Sequence, residues 1–584
     1  MLLLIFLLAA VTQSVVSQLS LPESPWLPPD ASKGAIPSNS GGTPNPQWST
    51  LLGNLLYFYE AQRSGTLPST NRVSWRNDSC TSDGSDVGLD LSGGYYDAGD
   101  YIKVSFPLSF TIMSICWGAT DFGKGYDLAN QTAYLDDMLR WGLDWLIKMH
   151  PSNDTLYIEV ADTGIDNAYW GGDQNIPGPR PSYQINDTHP GTDAAASVSA
   201  AFSSCSNLYA GRGFNAAQAY QPPASLQNSS YADTLLRHAQ QLYSFAVNAS
   251  GGQVTYQTST PIATESYASS GFGDDLAIAA LFLAAATNSS SYYQDANSFY
   301  QKFNLHGQNA VFNWDSKTPG VYVLFAQLAQ ANYPFASDLS SWQTESERYF
   351  DTIVNDNGDS SLTNGGLLFY DGDSDDASLN PALNAAMLLT RYAAIASSPD
   401  KTTSYLNYAS RQLDYALGKN PMSVPYVVGV NPNSPSNPHS AMASGGDDIG
   451  NIDTVPEKEA YVLYGAVIGG PDKRDRFFDI RSDWPETEVA LDYNAPMLTL
   501  AAMHVLNDTN DPFYTSLQDG AYAQVKPQGS PCDDAIDDGC SGPRLSTGAK
   551  VAIAVVVTVV GLIILGLLAW YIWTVRGNRK AKTG

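Results

Sequence analysis

The stretch Thr132-Ala-Tyr-Leu135-Asp-Asp-Met138-Leu139-Arg-Trp-Gly142-Leu-Asp-Trp145-Leu146-Ile-Lys-Met149 decides the fold class. Its apolar residues Leu135, Met138, Leu139, Gly142, Trp145, Leu146 and Met149 recur at steps of three and four. A helix of about 3.6 residues per turn gathers that spacing onto one face, so the segment reads as an amphipathic helix with one buried side. The same pattern places helices at Thr192–Leu208, Tyr231–Val247, Asp274–Thr287, Gly320–Ala331, Ala382–Ser397, Ser404–Leu417 and Ala495–Leu506. Many are rich in alanine, whose small side chain lets helix axes approach. Stretches that alternate as strands are few, and Gly/Pro/Asn-rich loops such as 160–190 and 423–456 separate the helices. The body of about 460 residues exceeds the usual single-domain size, which leaves one large closed architecture or two fused domains. The pattern predicts an all-α body, a helical barrel with its site residues on the long loops at one end.

Outward from the body, both termini change character. Residues 1–17 are apolar and end in Val15-Val16-Ser17, a small-residue pattern that resembles a signal-peptidase site, although no Lys or Arg precedes it. The alternative is a buried strand or helix start. Val551–Val575, in a segment bounded as 550–575, is uncharged over 25 residues. That is long enough to cross about 30 Å of hydrocarbon. Trp570, Tyr571 and Trp573 lie near its end, and Arg576, Arg579, Lys580 and Lys582 follow in the tail 576–584. Aromatic and positive residues at that edge predict a transmembrane helix with a cytoplasmic tail. A glycolipid-anchor signal is the competing reading, but such a signal normally ends in its apolar run. Residues 18–45 and 513–549 are dense in Pro, Ser and Gly and read as a leader and a juxtamembrane spacer around a domain at 46–512. The expectation is a cell-surface, single-pass type I membrane protein, probed further by eight Asn-x-Ser/Thr sequons at Asn77, Asn130, Asn153, Asn186, Asn228, Asn248, Asn288 and Asn507.

The 58 acidic and 30 basic residues give a formal charge of −28, which disfavours nucleic acid as a partner. Five cysteines are too few for a disulfide scaffold and match no metal spacing. Cys80, Cys116 and Cys205 therefore read as structural, while Cys532 and Cys540 are placed to close a local disulfide that leaves one cysteine odd.

Two acidic segments carry the candidate chemistry. Gly93-Gly-Tyr-Tyr-Asp97-Ala-Gly-Asp100-Tyr sets two carboxylates three residues apart on a glycine-rich turn. Phe478-Asp479-Ile-Arg481-Ser-Asp-Trp484-Pro-Glu-Thr-Glu488 supplies a partner acid far along the chain. Taken alone, an Asp-x-x-Asp pair fits helix capping or a calcium loop equally well. Two carboxyl clusters in one domain point instead to glycoside hydrolysis, which divides its work between two acids.

Their neighbours make that reading specific. Gln62-Arg-Ser-Gly-Thr-Leu-Pro68, Trp75-Arg76 and Leu89 to Lys103 resemble the opening of glycoside hydrolase family 9, a family of inverting β-1,4-glucanases. Phe477-x-Asp479, then Trp484, Glu488, Ala490 and Asn494-Ala495 at the family's spacing, match its second signature at every defined position. Between them, Trp170-Gly, Pro190-Gly-Thr-Asp193, Trp314-Asp-Ser-Lys317, Gly365 to Phe369, Leu413 to Pro421 and Gly469 to Asp472 follow in the expected order over residues 46–510.

The resemblance implies an (α/α)6 barrel with Asp100 as general base, Asp97 positioning the water and Glu488 as general acid. Asp479 is the supporting acid of the signature, and His439 and Tyr493 match residues near the reacting sugar. Trp170, Trp314 and Trp484 are candidate faces for sugar rings, with burial in the core as the alternative. The implied activity is endo-hydrolysis of β-1,4-glucan by a monomer, with no cofactor required and a structural calcium compatible with the loop acids. Two departures stand out. Ser440 and Ala441 follow His439 where the family usually has an arginine, and Asp166-Asn167-Ala-Tyr-Trp170 has Asn167 in place of a histidine. A catalytically silent glucan-binding surface protein is the alternative these departures leave open.

Overall fold

Twelve helices of thirteen residues or more run through the described residues of this computed structural model, and they alternate between two layers. In chain order they are α1 Pro46–Ala61, α2 Ser105–Leu128, α3 Thr132–Met149, α4 Thr192–Tyr209, α5 Ser229–Asn248 and α6 Gly273–Thr287. They continue as α7 Ser290–Lys302, α8 Thr318–Gln330, α9 Leu339–Val354, α10 Leu379–Ala393, α11 Pro399–Ala416 and α12 Leu491–Asn507. The described residues are 18–214, 221–533 and 535–536.

Even-numbered helices pack on one another in the order α2, α4, α6, α8, α10, α12, and α12 closes on α2. Each odd-numbered helix lies against one of them: α1 on α12, α3 on α2, α5 on α4, α7 on α6, α9 on α8 and α11 on α10. The result is six helices inside six, one closed architecture instead of two fused domains. Burial follows the layers. Every residue of α4 and α10 is buried, whereas α7 buries only Tyr293, Ala296, Phe299 and Tyr300. Closure of the inner ring depends on glycine. A Cβ on Gly118 would stand 2.0 Å from Thr499 Oγ1, and one on Gly125 2.2 Å from the Ala502 carbonyl oxygen, so α2 and α12 approach where side chains are absent. A Cys116–Cys205 disulfide joins α2 to α4, and Cys80 is the odd, half-buried thiol.

Little of the body is sheet. Strands β1 Lys103–Val104, β2 Thr155–Val160 and β3 Ser182–Asn186 form one antiparallel sheet in that order, and β4 Ser360–Leu362 pairs with β5 Leu368–Tyr370. The first sheet matters because β1 begins three residues after Asp100 and fixes the exit of that turn.

The boundaries at 46 and 512 need revision. Leu19 N donates to Asp136 Oδ2 at 2.7 Å, Trp26 N to Tyr134 Oη at 2.8 Å, and the Trp26 ring fills the space beside Gly53. Residues 18–45 are thus strapped across α1 and α3. At the other end Tyr514 is fully buried and Tyr522 Oη donates to the Phe477 carbonyl at 2.9 Å, so packed structure reaches Val525. The chain divides into units at Pro531 and Cys532. The expected signal peptide 1–17, the transmembrane helix 550–575 and the tail lie outside the described residues, among which no helix is long and apolar enough to cross a membrane.

Candidate active site

Asp97 and Asp100 lie on the turn that leads into β1, and main-chain bonds hold this turn from several sides. Gln62 Nε2 donates to the carbonyls of Tyr96 at 3.3 Å and Ala98 at 2.6 Å. Asp97 N donates to Ile102 O at 3.0 Å, and Asp97 O accepts from Leu491 N at 3.0 Å. The second bond ties the first acidic segment to the start of α12. Glu488 sits just before that helix, extended (φ −62°, ψ 147°) at the end of the short helix Trp484–Thr487, and its backbone bridges to His439. Gly99 lies under the same loop: a Cβ there would stand 2.2 Å from the His439 carbonyl oxygen. Three distant chain segments therefore meet in main-chain contact.

Asp100 and Glu488 line one cavity of about 470 Å³ together with Asp166, Asn167, Tyr169, Trp170, Tyr267, His439 and Trp484. A larger groove of about 680 Å³ runs between residues 78–86 and 173–181. Its buried acids are already paired, Asp83 with Lys103 and Arg180 and Asp173 with Arg76, so it offers no free acid–base group of that kind.

Asp100 and Glu488 in the first cavity, and Asp97 and Asp492 next to them, have no such partners. Among the described residues no Lys or Arg forms an ion pair with Asp97, Asp100, Glu488 or Asp492. Burial raises each of them: Asp97 to about 7, Asp100 to about 7, Glu488 to about 8 and Asp492 to about 6. The neighbouring Glu488 charge raises Asp100 further, and those of Asp97 and Asp492 raise Glu488. Tyr267 Oη donates to Asp97 Oδ2 and Asn380 Nδ2 donates to Asp492 Oδ2 at 2.5 Å, both favouring the ionised form. The arrangement can hold one acid charged and another protonated near neutral pH, which is what paired acid–base chemistry requires.

The other predicted site residues sort by position. His439 lines the cavity with Nδ1 2.6 Å from the Arg481 carbonyl, so Nδ1 carries the proton and Nε2 is left as an acceptor. Arg481 itself is buried, donating from Nε to Glu459 at 2.7 Å and from Nη1 to the carbonyls of Ile452 and Pro456. Tyr493 is half-buried within range of the Glu488 charge. Trp484 is half-buried on the cavity wall. Asp479 stands outside the cavity and accepts from Ser436 N, Ser436 Oγ and Asn437 N, which fixes the loop that delivers His439. Trp314 is also outside it, edge-on to Tyr267 at 5.0 Å between centroids.

Trp170 is a correction. It reaches the cavity wall but is 2% exposed, tilted against His439 and packed with Tyr96, Tyr101, Met442 and Ile452, so it offers no open face to a sugar. Sequence reasoning passed over Tyr267, Asp492 and Asp166 as site residues. Asp492 had a signal, since it directly precedes Tyr493 in the second signature, whereas Tyr267 lies in a loop with no recognisable pattern.

Comparison with known proteins agrees with the fold. The family model described as "Glycosyl hydrolase family 9" matches residues 48–501. Endoglucanase B of Cellulomonas fimi is 34% identical over 477 residues, covering 79% of this chain, which spans 42% of that protein's length. The solved endoglucanase of the termite Nasutitermes takasagoensis superposes with a TM-score of 0.69 at 34% identity, covering 79% of this chain and 98% of that one. Endoglucanase CelQ of Clostridium thermocellum, solved with cellotetraose, gives 0.66 at 27% identity over 83% of this chain and 73% of that one.

Proposed function

The chain belongs to glycosyl hydrolase family 9, and on that premise we propose that it hydrolyses internal β-1,4-glucosidic bonds of cellulose or related β-glucans by single displacement with inversion. The observation that carries the reading is the single cavity in which Asp100 and Glu488 stand without a cationic partner. Asp100, the base of the family signature, takes a proton from water, and Asp97 helps to hold that water. The water attacks the anomeric carbon while Glu488, still protonated near neutral pH, gives its proton to the departing glycosidic oxygen. His439 Nε2 accepts from a sugar hydroxyl. The reaction uses no organic cofactor, and a calcium ion would serve the loops without taking part in a step.

The test is reducing-end release from carboxymethylcellulose and lichenan by the full chain, with Asp100→Asn and Glu488→Gln beside it. Turnover in the wild type alone, with the α anomer formed first, supports the proposal. Glucan binding without turnover would replace it with the silent surface binder, a reading favoured by the absence of the family's imidazole and guanidinium at Asn167 and Ala441.

We also propose that the body faces the cell exterior on a single C-terminal span. Six of the eight sequon asparagines are exposed and two half-buried, and a disulfide inside the barrel suits an oxidising compartment. Loss of mass on enzymatic deglycosylation, with retention in the membrane after alkaline carbonate washing, is expected. A soluble, unglycosylated product would overturn it.

A further inference from the structure

Asp166 ends the short helix Thr163–Asp166 on the wall of the candidate cavity, and the proposed reaction gives it no task. Its carboxyl lies beside that of Asp100 on the same wall, close enough for the two to share a hydrogen bond. Two carboxyl groups can share such a bond only when one of them carries a proton, because two carboxylates are acceptors alone. The surroundings decide which one. Asp166 is 3% exposed, whereas Asp100 is half-buried and open to the cavity, so the charge is better solvated on Asp100. Tyr101 N donates to Asp166 Oδ2 at 3.1 Å, so that oxygen is an acceptor and a proton on the carboxyl belongs on Oδ1.

The charged groups around Asp166 agree. Asp100 faces it from the catalytic turn, and Glu159 faces it from β2; both oppose a second negative charge. Arg180 favours the charge but is engaged elsewhere, bonded to Asp83 at 2.9 and 3.3 Å and to the Tyr101 carbonyl at 3.0 Å. The Asp166 carboxyl is accordingly held far above the usual carboxylate range, by burial first and the Asp100 charge second.

We propose that Asp166 is a positioning residue whose carboxyl donates a hydrogen bond to Asp100 and turns the other lone pairs of that base toward the water. The proposal deepens the hydrolysis reading and rests on it for the identity of the base. It makes a neutral donor the functional requirement, so asparagine should serve. An amide can donate from Nδ2 to Asp100 and accept the Tyr101 N–H on Oδ1.

The experiment compares Asp166→Asn and Asp166→Ala in the full chain, reading kcat, KM and the pH profile of kcat/KM on carboxymethylcellulose. Asp166→Asn should keep kcat within about 3-fold and leave the acid limb in place. Asp166→Ala should lose on the order of 10²-fold in kcat with little change in KM, the scale of a misoriented reacting group. Its acid limb should move to higher pH, because Asp100 loses a donor that favours its charged form. Equal loss in both variants would overturn the proposal by showing that a charge is needed, and so would full activity in both. One readout is independent of turnover. The infrared difference between wild type and Asp166→Asn at pH about 6, above the ordinary carboxyl range, should contain the C=O stretch of a protonated carboxyl. Presence of that band in a chain without hydrolysis would sink the reaction and keep the protonated acid; its absence in an active chain would do the reverse.

Discussion

The barrel interior and the cavity at its end bury carboxylates in opposite ways. Inside the barrel, Asp121 on α2 meets Arg391 on α10 at 2.8 Å, with the guanidinium stacked over Trp117, and Asp275 meets Lys317 at 2.8 Å. Around the turn below the cavity, Arg63–Asp137, Arg72–Glu60 and Lys103–Asp83 repeat the device. The cavity brings Asp100, Asp166 and Glu488 together, with Asp97 and Asp492 close behind them, and among the described residues no ion pair forms to any of the five, so proton affinity rises instead. Both arrangements avoid an uncompensated buried charge. One does so with a counter-ion and holds helices in place; the other does so with a proton and keeps that proton available.

The comparison breaks if the two groups of acids respond alike to neutral replacement. Glu488→Gln and Asp100→Asn should each lose ~10²–10⁴-fold in kcat, the span of an acid–base group, while thermal midpoints stay at or above wild type. Arg391→Met should do the contrary. It strands the Asp121 charge in the barrel and should cost about 3–5 kcal/mol of unfolding free energy, measured by denaturant unfolding, with the kcat of the folded fraction unchanged. A double replacement, Arg391→Met with Asp121→Leu, should recover much of that loss because the stranded charge is gone.

The same division explains what the sequence made legible. Outer helices that pair an apolar stripe with a polar face, such as α3 and α5, announce themselves by period, and so did the strongly apolar α6. Helix α2 did not: it is buried along most of its length, so no side alternates, and its Gly118 and Gly125 look like breaks when they are points of contact with α12. Helices α7 and α9 escaped for the opposite reason, since SSYYQDANSFYQK and its counterpart bury only four and five residues. At the site, Asp97, Asp100 and Glu488 were legible because their spacing matches a signature. Tyr267 was not, because it lies in a loop without a recognisable pattern and only the fold brings it to Asp97; Asp166 opens a family pattern, but that pattern drew notice to Asn167 and Trp170, and only the fold sets Asp166 beside Asp100.

Neutralising Asp97 sharpens the comparison through stability. Its carboxyl keeps a proton in the native state up to about pH 7, whereas an unfolded aspartate releases one near about 3.9. Between those values the native state binds more protons, so unfolding free energy falls as pH rises. Asp97→Asn removes that loss while still accepting from Tyr267 through its amide oxygen. The variant should be more stable than wild type near pH 7, by on the order of 1–3 kcal/mol, with the gain vanishing toward pH 4. Thermal midpoints across that range provide the check; a gain equally large at pH 4 would mean that the carboxyl is not the source.

The smallest effect concerns the two departures from the family pattern, which differ in how reversible they are. Ala441 is fully buried, with its N–H donating to the Gly99 carbonyl at 2.7 Å, so an arginine there has no space beside the catalytic turn. Asn167 is exposed on the cavity wall. Asn167→His can therefore restore an imidazole without repacking. One added hydrogen bond is worth about 0.5–1.5 kcal/mol, or roughly 2- to 10-fold in binding, so KM for a cello-oligosaccharide should fall by that factor. If the imidazole binds the sugar equally in the ground and transition states, kcat stays where it was. A rise in kcat with unchanged KM would instead place residue 167 beside the reacting bond, and Asn167 would then mark a change in chemistry and not merely in grip.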